Sequence, residues 1–119
     1  MKGRAGMSRV ALTDGSNVWF ETKSAVLFKE NTRWDGRNHI SVPTGSQWEH
    51  EWLYYTKSGK WVLHEYSQWQ GSLERYAQIN ESEAIDWLVL NNTIEDEAFT
   101  KLPKAVQDRV LQSVAAAEI

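Results

Sequence analysis

The sequence predicts an α+β protein in which an antiparallel sheet of four to five strands carries C-terminal helices packed on one face. Aromatic and β-branched residues crowd the stretch 47–69, which holds seven of the fourteen aromatic side chains. A Ser58-Gly59 pair divides this stretch into two runs, as in a β-hairpin. Helical spacing of apolar residues is clearest after residue 80.

Length and composition predict one domain. A chain of 119 residues with 41% hydrophobic and 24% charged residues can bury a single core without disulfides or metals. Met7 resembles a second start, so we interpret residues 1–6 as a disordered extension ahead of a single domain, 7–119. No apolar run is long enough for a bilayer and the N-terminus does not resemble a signal peptide, so no membrane partner and a cytoplasmic location are expected.

The first half of the chain predicts short strands around one helix. Residues 10–12 and 17–21 should form a first hairpin across a turn rich in polar residues. Thr22 can cap a short helix that begins at Lys23 and ends before Asn31. Residues 38–42 are expected to form a third strand that ends at a Pro-Thr-Gly-Ser turn.

The aromatic hairpin has two faces whose composition depends on its register. With Ser58 and Gly59 as the only loop residues, Thr56 lies opposite Trp61 and Tyr54 opposite Leu63. One face then carries Trp48, His50, Trp52, Tyr54, Trp61, Leu63 and Trp69. The other carries Glu49, Glu51, Leu53, Tyr55, Val62, His64, Tyr66 and Gln68. We expect the tryptophan-rich face to be the core beneath the helices.

The last third of the chain predicts helices, and residues 73–78 before it can form a strand or a loop. Asn80 with Glu83 three residues later is typical of a capping box, and the helix it opens should stop at Asn91. A further turn over 93–100 is expected, followed by a terminal helix after Pro103.

The predicted polar face supplies the candidate site. In the predicted register His64 lies diagonal to both Glu51 and Tyr55. The candidate ligand- or partner-binding residues are Glu49, Glu51, Tyr55, His64, Tyr66 and Gln68. Glu51 and His64 could form an acid–base pair in a pocket, but a solvated sheet surface with cross-strand polar pairs explains the same residues more simply.

Other chemistries find little support in the sequence. Cysteine is absent, and the predicted register places His50 and His64 on opposite faces, so no metal or other cofactor is predicted. No motif of a serine hydrolase or a P-loop occurs, so no catalytic residue is predicted. Tryptophans can stack unpaired bases, but residues 1–80 carry a net charge of only +2 and residues 81–119 one of −5. This balance argues against nucleic acid as a partner.

Several motifs resemble a family of small bacterial proteins of mobile elements, of the integron gene-cassette type, which has no assigned activity. They are Lys60-Trp61-Val62-Leu63, Ser67-Gln68-Trp69-Gln70-Gly71-Ser72, Tyr76, Ile79, Glu83-Ala84, Trp87-Leu88 and Asn91. The resemblance spans about residues 10–92. It implies a compact bacterial α+β protein and transfers no catalytic residue.

The leading hypothesis is therefore a non-enzymatic binding or adaptor protein of a mobile genetic element. Aromatic and polar side chains such as Tyr55, His64 and Tyr66 are favoured at interfaces, so the partner would be another protein or, in a homodimer, a second copy. The alternative is a small-molecule-binding protein or small enzyme with a pocket near Glu51 and His64.

Overall fold

Residues 8–69 and 71–119 are described by a computed structural model. Their strands are β1 Arg9–Ala11, β2 Trp19–Glu21, β3 Val26–Lys29, β4 Thr32–Trp34, β5 His39–Ser41, β6 Glu49–Tyr55, β7 Trp61–Ser67 and β8 Arg75–Ile79. Their helices are α1 Glu81–Leu90, α2 Glu97–Thr100 and α3 Lys104–Ala116, with 3-10 turns at Thr22–Ser24 and Thr93–Glu95. The extension predicted for residues 1–6 lies outside the described residues.

The strands form one larger antiparallel sheet and two small hairpins. The larger sheet has the order β3-β6-β7-β8, while β1 pairs with β2 and β4 pairs with β5. The predicted α+β class, with an antiparallel sheet and C-terminal helices, is confirmed, as are the first hairpin and the strand at 38–42. The segment that could have been strand or loop contributes the edge strand β8.

The register predicted for the β6–β7 hairpin is wrong by one residue. Tyr55, not Thr56, lies opposite Trp61. The reason is a three-residue loop: Gly59 N donates to Thr56 O at 2.9 Å, Thr56 N donates to Lys60 O at 2.8 Å, and Gly59 has a φ of +85°. A turn closed by a glycine in the left-handed region is the next most common hairpin loop after the two-residue one.

The shifted register separates the tryptophans. Trp61 is 3% exposed and faces the helices with Leu53, whereas Trp52 lies on the opposite face, half-buried. Trp48 and Trp69 are 41% and 57% exposed. The prediction that these indoles share one face beneath the helices is therefore wrong, because one extra loop residue exchanges the two faces of β7 relative to β6.

Two apolar clusters lie on the two faces of the larger sheet. On the helix face Phe28, Leu53 and Trp61 pack with apolar side chains of all three helices. On the opposite face Tyr54 and Val62 pack with residues of the first hairpin and the segment after it, including Leu12 and Phe20. The first hairpin thus covers Val62, which was expected to lie on the solvated face of the hairpin.

The short helix predicted from Lys23 is also wrong. A single 3-10 turn covers Thr22–Ser24, and the chain then enters β3. Phe28 of β3 lies opposite Leu53 of β6 and is 1% exposed. Burial of the Phe28 side chain against β6 stabilises a strand here by more than the weak local preference stabilises a helix.

Helix α1 begins at the predicted capping box. The Asn80 side chain accepts a hydrogen bond from Glu83 N at 2.8 Å, and the Glu83 side chain accepts one from Asn80 N at 3.1 Å. The helix ends at Leu90 as predicted, and its Trp87 and Leu88 are buried in the core. Of the helices in the described residues, none combines the length and apolar composition that crossing a membrane requires.

Removing this cap should have a modest, measurable effect. We expect Asn80→Ala to lower the free energy of unfolding by about 1 kcal/mol, because Glu83 N loses its acceptor. Urea denaturation measures the change. Asn80→Ser retains a capping oxygen and should recover most of it, so an equal loss in both variants would contradict the assignment.

The outer edge of β8 is partly occupied by the loop after β1. Thr13 N donates to Tyr76 O at 2.8 Å, and Tyr76 N donates to Thr13 Oγ1 at 2.8 Å. Both main-chain groups of Tyr76 that face away from β7 are thereby satisfied by the protein itself.

Candidate functional site

A cavity of about 530 Å³ lies at the end of the β6–β7 hairpin remote from its loop. Its lining comes from β6, β7, the turn at Thr44, and the segment that leads into β8. The lining residues are Thr44, Glu49, His50, Glu51, Glu65, Tyr66, Ser67, Ser72, Leu73 and Arg75. We call this cavity the acidic cleft. Its volume falls within the range of small-molecule sites.

Three carboxylates and one guanidinium set the charge of the acidic cleft. Glu51 lies directly opposite Glu65 across the hairpin, and Arg75 Nε is 3.7 Å from Glu65 Oε1. Burial raises the pKa of the Glu51 carboxyl, a hydrogen bond from Trp87 Nε1 at 2.9 Å lowers it, and the charges of Glu65 and Glu30 raise it again. Glu51 therefore holds its negative charge less readily than a carboxylate in water.

Glu30 and His50 form a buried carboxylate–imidazole pair, and His50 lines the acidic cleft. Glu30 Oε2 is 2.6 Å from His50 Nδ1, and its Oε1 accepts from Ser41 Oγ at 2.7 Å and from Glu51 N at 2.8 Å. The side chains of Glu30 and His50 are 6% and 14% exposed. His50 Nε2 is buried and has no partner within the described residues. The carboxylate of Glu30 fixes the orientation of the His50 ring.

A second carboxylate–imidazole pair, Glu74 and His64, stands beside it. His64 Nε2 is 2.6 Å from Glu74 Oε1, and the ring stacks on Tyr76 with centroids 4.1 Å apart. His64 Nδ1 is likewise buried and unpartnered within the described part of the chain. A cavity of about 390 Å³ is lined by Trp52, His64, Tyr66, Ser67, Ser72 and Glu74, so it shares Tyr66, Ser67 and Ser72 with the acidic cleft.

The structure redistributes the residues predicted for the site. Glu49 and Glu51 line the acidic cleft, Tyr66 lines both cavities, and His64 lines only the second. Tyr55 packs on Trp61 at 4.6 Å toward the helices. Gln68 is exposed beyond the end of β7.

Two geometric predictions about these residues are wrong. Glu51 and His64 do not share a face, because Trp52, not Leu53, lies opposite His64. His50 and His64, expected on opposite faces, project from the same one. Both errors follow from the loop of the hairpin, which contains one residue more than predicted.

Glu30 was missed because no pattern in its own segment marks it. It lies 20 residues from His50 along the chain and directly after β3, which was predicted to be a helix. Among residues 8–69 and 71–119, no group of three His, Asp or Glu side chains is arranged to hold a metal ion.

The fold and the cleft define a small α+β protein in which the histidines of two carboxylate–imidazole pairs project from the same face of the sheet. No protein-family model matches the chain, and neither a curated protein nor a solved structure shows significant similarity to it.

The raised pKa of Glu51 predicts a pH-dependent gain from Glu51→Gln. A carboxyl whose pKa rises on folding above its ordinary value of 4.5 costs stability when ionised, and this cost disappears once it is protonated in both states. Glutamine keeps an acceptor for Trp87 Nε1. We therefore expect the variant to melt at a higher temperature than wild type at neutral pH. This advantage should be lost when the pH falls below 4.5, the ordinary pKa of the carboxyl.

Thermal melts across that pH range measure the difference. Glu49→Gln removes an exposed carboxylate from the same strand and should change the stability less. A gain for Glu51→Gln that grows as the pH falls would contradict the expectation.

Proposed function

We propose that this chain is a small-molecule-binding protein whose ligand occupies the acidic cleft. The observation that carries the proposal is a cavity of about 530 Å³ whose lining includes His50, a ring that the buried carboxylate of Glu30 holds in place. Cavities of this volume are typical of small-molecule sites. Of the two residues predicted to lie near one pocket, Glu51 lines the acidic cleft and His64 lines the neighbouring cavity.

A metabolite screen by thermal shift tests the proposal. A ligand present at a hundred times its dissociation constant stabilises the folded state by about 2.7 kcal/mol. The shift should be smaller in Ser72→Trp, which fills the space shared by both cavities, and unchanged in Ser113→Trp, an exposed site on α3. A broad library without any shift, or equal shifts in both variants, would refute a ligand in the cleft.

A second candidate function is the non-enzymatic adaptor of a mobile element. It is supported by an exposed aromatic pair, Trp48 and Trp69, with ring centroids 5.1 Å apart, and by Leu73, which is 86% exposed. Exposed tryptophans are frequent anchors of protein interfaces. The partner would be another protein or a second copy of this chain. A cytoplasmic location fits a chain without cysteine. The mobile-element origin is supported by the sequence motifs alone.

Sedimentation and crosslinking distinguish this candidate. We expect self-association, or capture of a partner, that is lost in the double variant Trp48→Ser/Trp69→Ser. It should be kept in Trp34→Ser, which removes a more exposed indole from another hairpin. A monomer at every concentration, with no partner captured by the wild-type chain, would count against the adaptor.

A further inference from the structure

The second cavity, of about 390 Å³, has aromatic walls on the face of the sheet opposite the helices. Trp52 lies opposite His64 across the hairpin, and Tyr66 follows His64 by two positions, so all three rings project from this face. The remaining lining residues are Ser67, Ser72 and Glu74. We call this space the aromatic cavity. Glu49 and Glu51 project from the other face of the hairpin and do not line it.

Two of the three rings offer surface that a ligand can contact. Trp52 and Tyr66 are half-buried and meet edge-on, with centroids 5.6 Å apart and an interplanar angle of 78°. The His64 ring is already engaged, because Tyr76 stacks on it at 4.1 Å, Glu74 holds Nε2, and Nδ1 is buried. Since the two available rings are nearly perpendicular, they do not form a parallel slot for a flat aromatic molecule.

The polar groups of the aromatic cavity are hydroxyls and one carboxylate. Burial and the charges of Glu30 and Glu74 raise the pKa of the Tyr66 phenol, so this hydroxyl stays protonated and can donate. Neither this hydroxyl nor Ser72 Oγ has a hydrogen-bond partner within the described residues. Glu74 Oε1 is 2.6 Å from His64 Nε2, which leaves Oε2 as an acceptor. These groups match a ligand with several O–H groups, since each O–H both donates and accepts.

The charges beside the aromatic cavity favour neither sign of ion. Glu74 contributes one negative charge to the lining, and Lys29 Nζ lies 5.3 Å from the centroid of the Trp52 ring. A cation against Trp52 would meet this ammonium group, and an anion would meet the carboxylate of Glu74. Removing an ion from water without a net opposite charge to receive it costs free energy, so a neutral ligand is favoured.

We infer that the aromatic cavity binds a neutral sugar, with a pyranose ring against Trp52 and its hydroxyls bonded to Glu74, Ser72 and the Tyr66 phenol. The C–H groups of a pyranose ring are weakly positive and are attracted by the negative face of an aromatic ring. A carboxylate oxygen accepts from O–H groups in short, charge-assisted hydrogen bonds. This site goes beyond the proposed function, because it does not depend on a ligand in the acidic cleft.

Probes that share a sugar ring and differ in charge test the inference. The neutral probes are the methyl β-pyranosides of glucose, galactose and mannose. Glucosamine is the cation, glucuronate is the anion, and nicotinamide is a flat neutral control. Titration of the full chain, followed by amide NMR, reports affinity and location together. We expect a neutral pyranoside to bind more tightly than the three other probes, with shifts at residues 52, 64–67 and 72–74.

Variants test which side chains hold the sugar. Trp52→Ala should weaken pyranoside binding about tenfold, whereas Trp52→Phe keeps a ring and should keep most of the affinity. Glu74→Gln should also weaken it about tenfold, because an amide oxygen accepts less strongly than a carboxylate. The matched controls Trp34→Ala and Glu97→Gln remove an exposed indole and an exposed carboxylate elsewhere and should leave the affinity unchanged. Amide spectra show whether each variant is folded.

The outcomes separate this site from the acidic cleft. The inference is overturned if no pyranoside shifts the aromatic cavity, if a charged sugar or nicotinamide binds as tightly, or if Trp52→Ala and Glu74→Gln keep the wild-type affinity. None of these results affects the proposed function, which depends on the metabolite screen. Shifts at residues 49, 51 and 75 place a ligand of that screen in the acidic cleft, whereas shifts at 52, 64 and 74 place it in the aromatic cavity.

Discussion

Replacing Trp61 by alanine should lower the free energy of unfolding by about 3–5 kcal/mol, the range for deleting a buried aromatic side chain. Trp61 is 3% exposed, packs on Tyr55 at 4.6 Å and on Phe28 at 6.4 Å, and belongs to the core beneath the helices. The cavity left behind would be bounded by strands and helices that can close it only in part. A loss of this size is a large fraction of the 5–15 kcal/mol typical of natural domains.

Urea denaturation followed by circular dichroism measures this loss, and Trp34→Ala is the matched control. Trp34 is 60% exposed and should change the stability by less than about 1 kcal/mol. Comparing the stability losses of Trp52→Ala and Trp61→Ala tests the register, because Trp52 and Trp61 lie on opposite faces of the hairpin. A larger loss for Trp52→Ala than for Trp61→Ala would show that the faces are assigned the wrong way round.

Replacing Glu30 by alanine should have an effect of similar size. Glu30 is 6% exposed at its side chain and accepts hydrogen bonds from Ser41 Oγ, Glu51 N and His50 Nδ1. Alanine would leave these donors without a partner in a partly buried site. We expect a loss of about 3–5 kcal/mol, because each buried donor left without a partner costs about 1–3 kcal/mol.

The conservative variant and a spectroscopic readout make this prediction specific. Glu30→Gln keeps one acceptor oxygen and should lose less stability, while Glu49→Ala removes an exposed carboxylate of β6 and should stay within about 0.5 kcal/mol of wild type. The nitrogen NMR shifts of His50 should change in both Glu30 variants, because Nδ1 loses its carboxylate. Unchanged shifts would show that the pair does not form.

Local signals in the sequence predicted the elements that depend on neighbouring residues. Asn80 and Glu83 form a capping box within one helical turn, and both lie where the sequence placed them. The two long strands of the hairpin were equally recognisable from their aromatic and β-branched residues. The helix stop at Asn91 follows the same logic, since its backbone N–H closes the last turn.

The candidate site could not be predicted, because it depends on register and on long-range pairing. The Lys57-Ser58-Gly59 loop contains one residue more than the shortest hairpin loop, and that residue decides which face His64 joins. Glu30 reaches His50 only because β3 pairs with β6, a contact that its own segment does not signal. Where the sequence favoured a helix after Lys23, the buried partner Leu53 determined a strand instead.

The bonds between Thr13 and Tyr76 limit how copies of this protein can associate. Addition of a foreign strand along β8 would need both main-chain groups of Tyr76, and each is already engaged. The Thr13 segment therefore hinders edge-to-edge extension of the sheet at β8. Cleavage of the loop between β1 and β2 would free the main-chain N–H and C=O of Tyr76 for pairing with another strand.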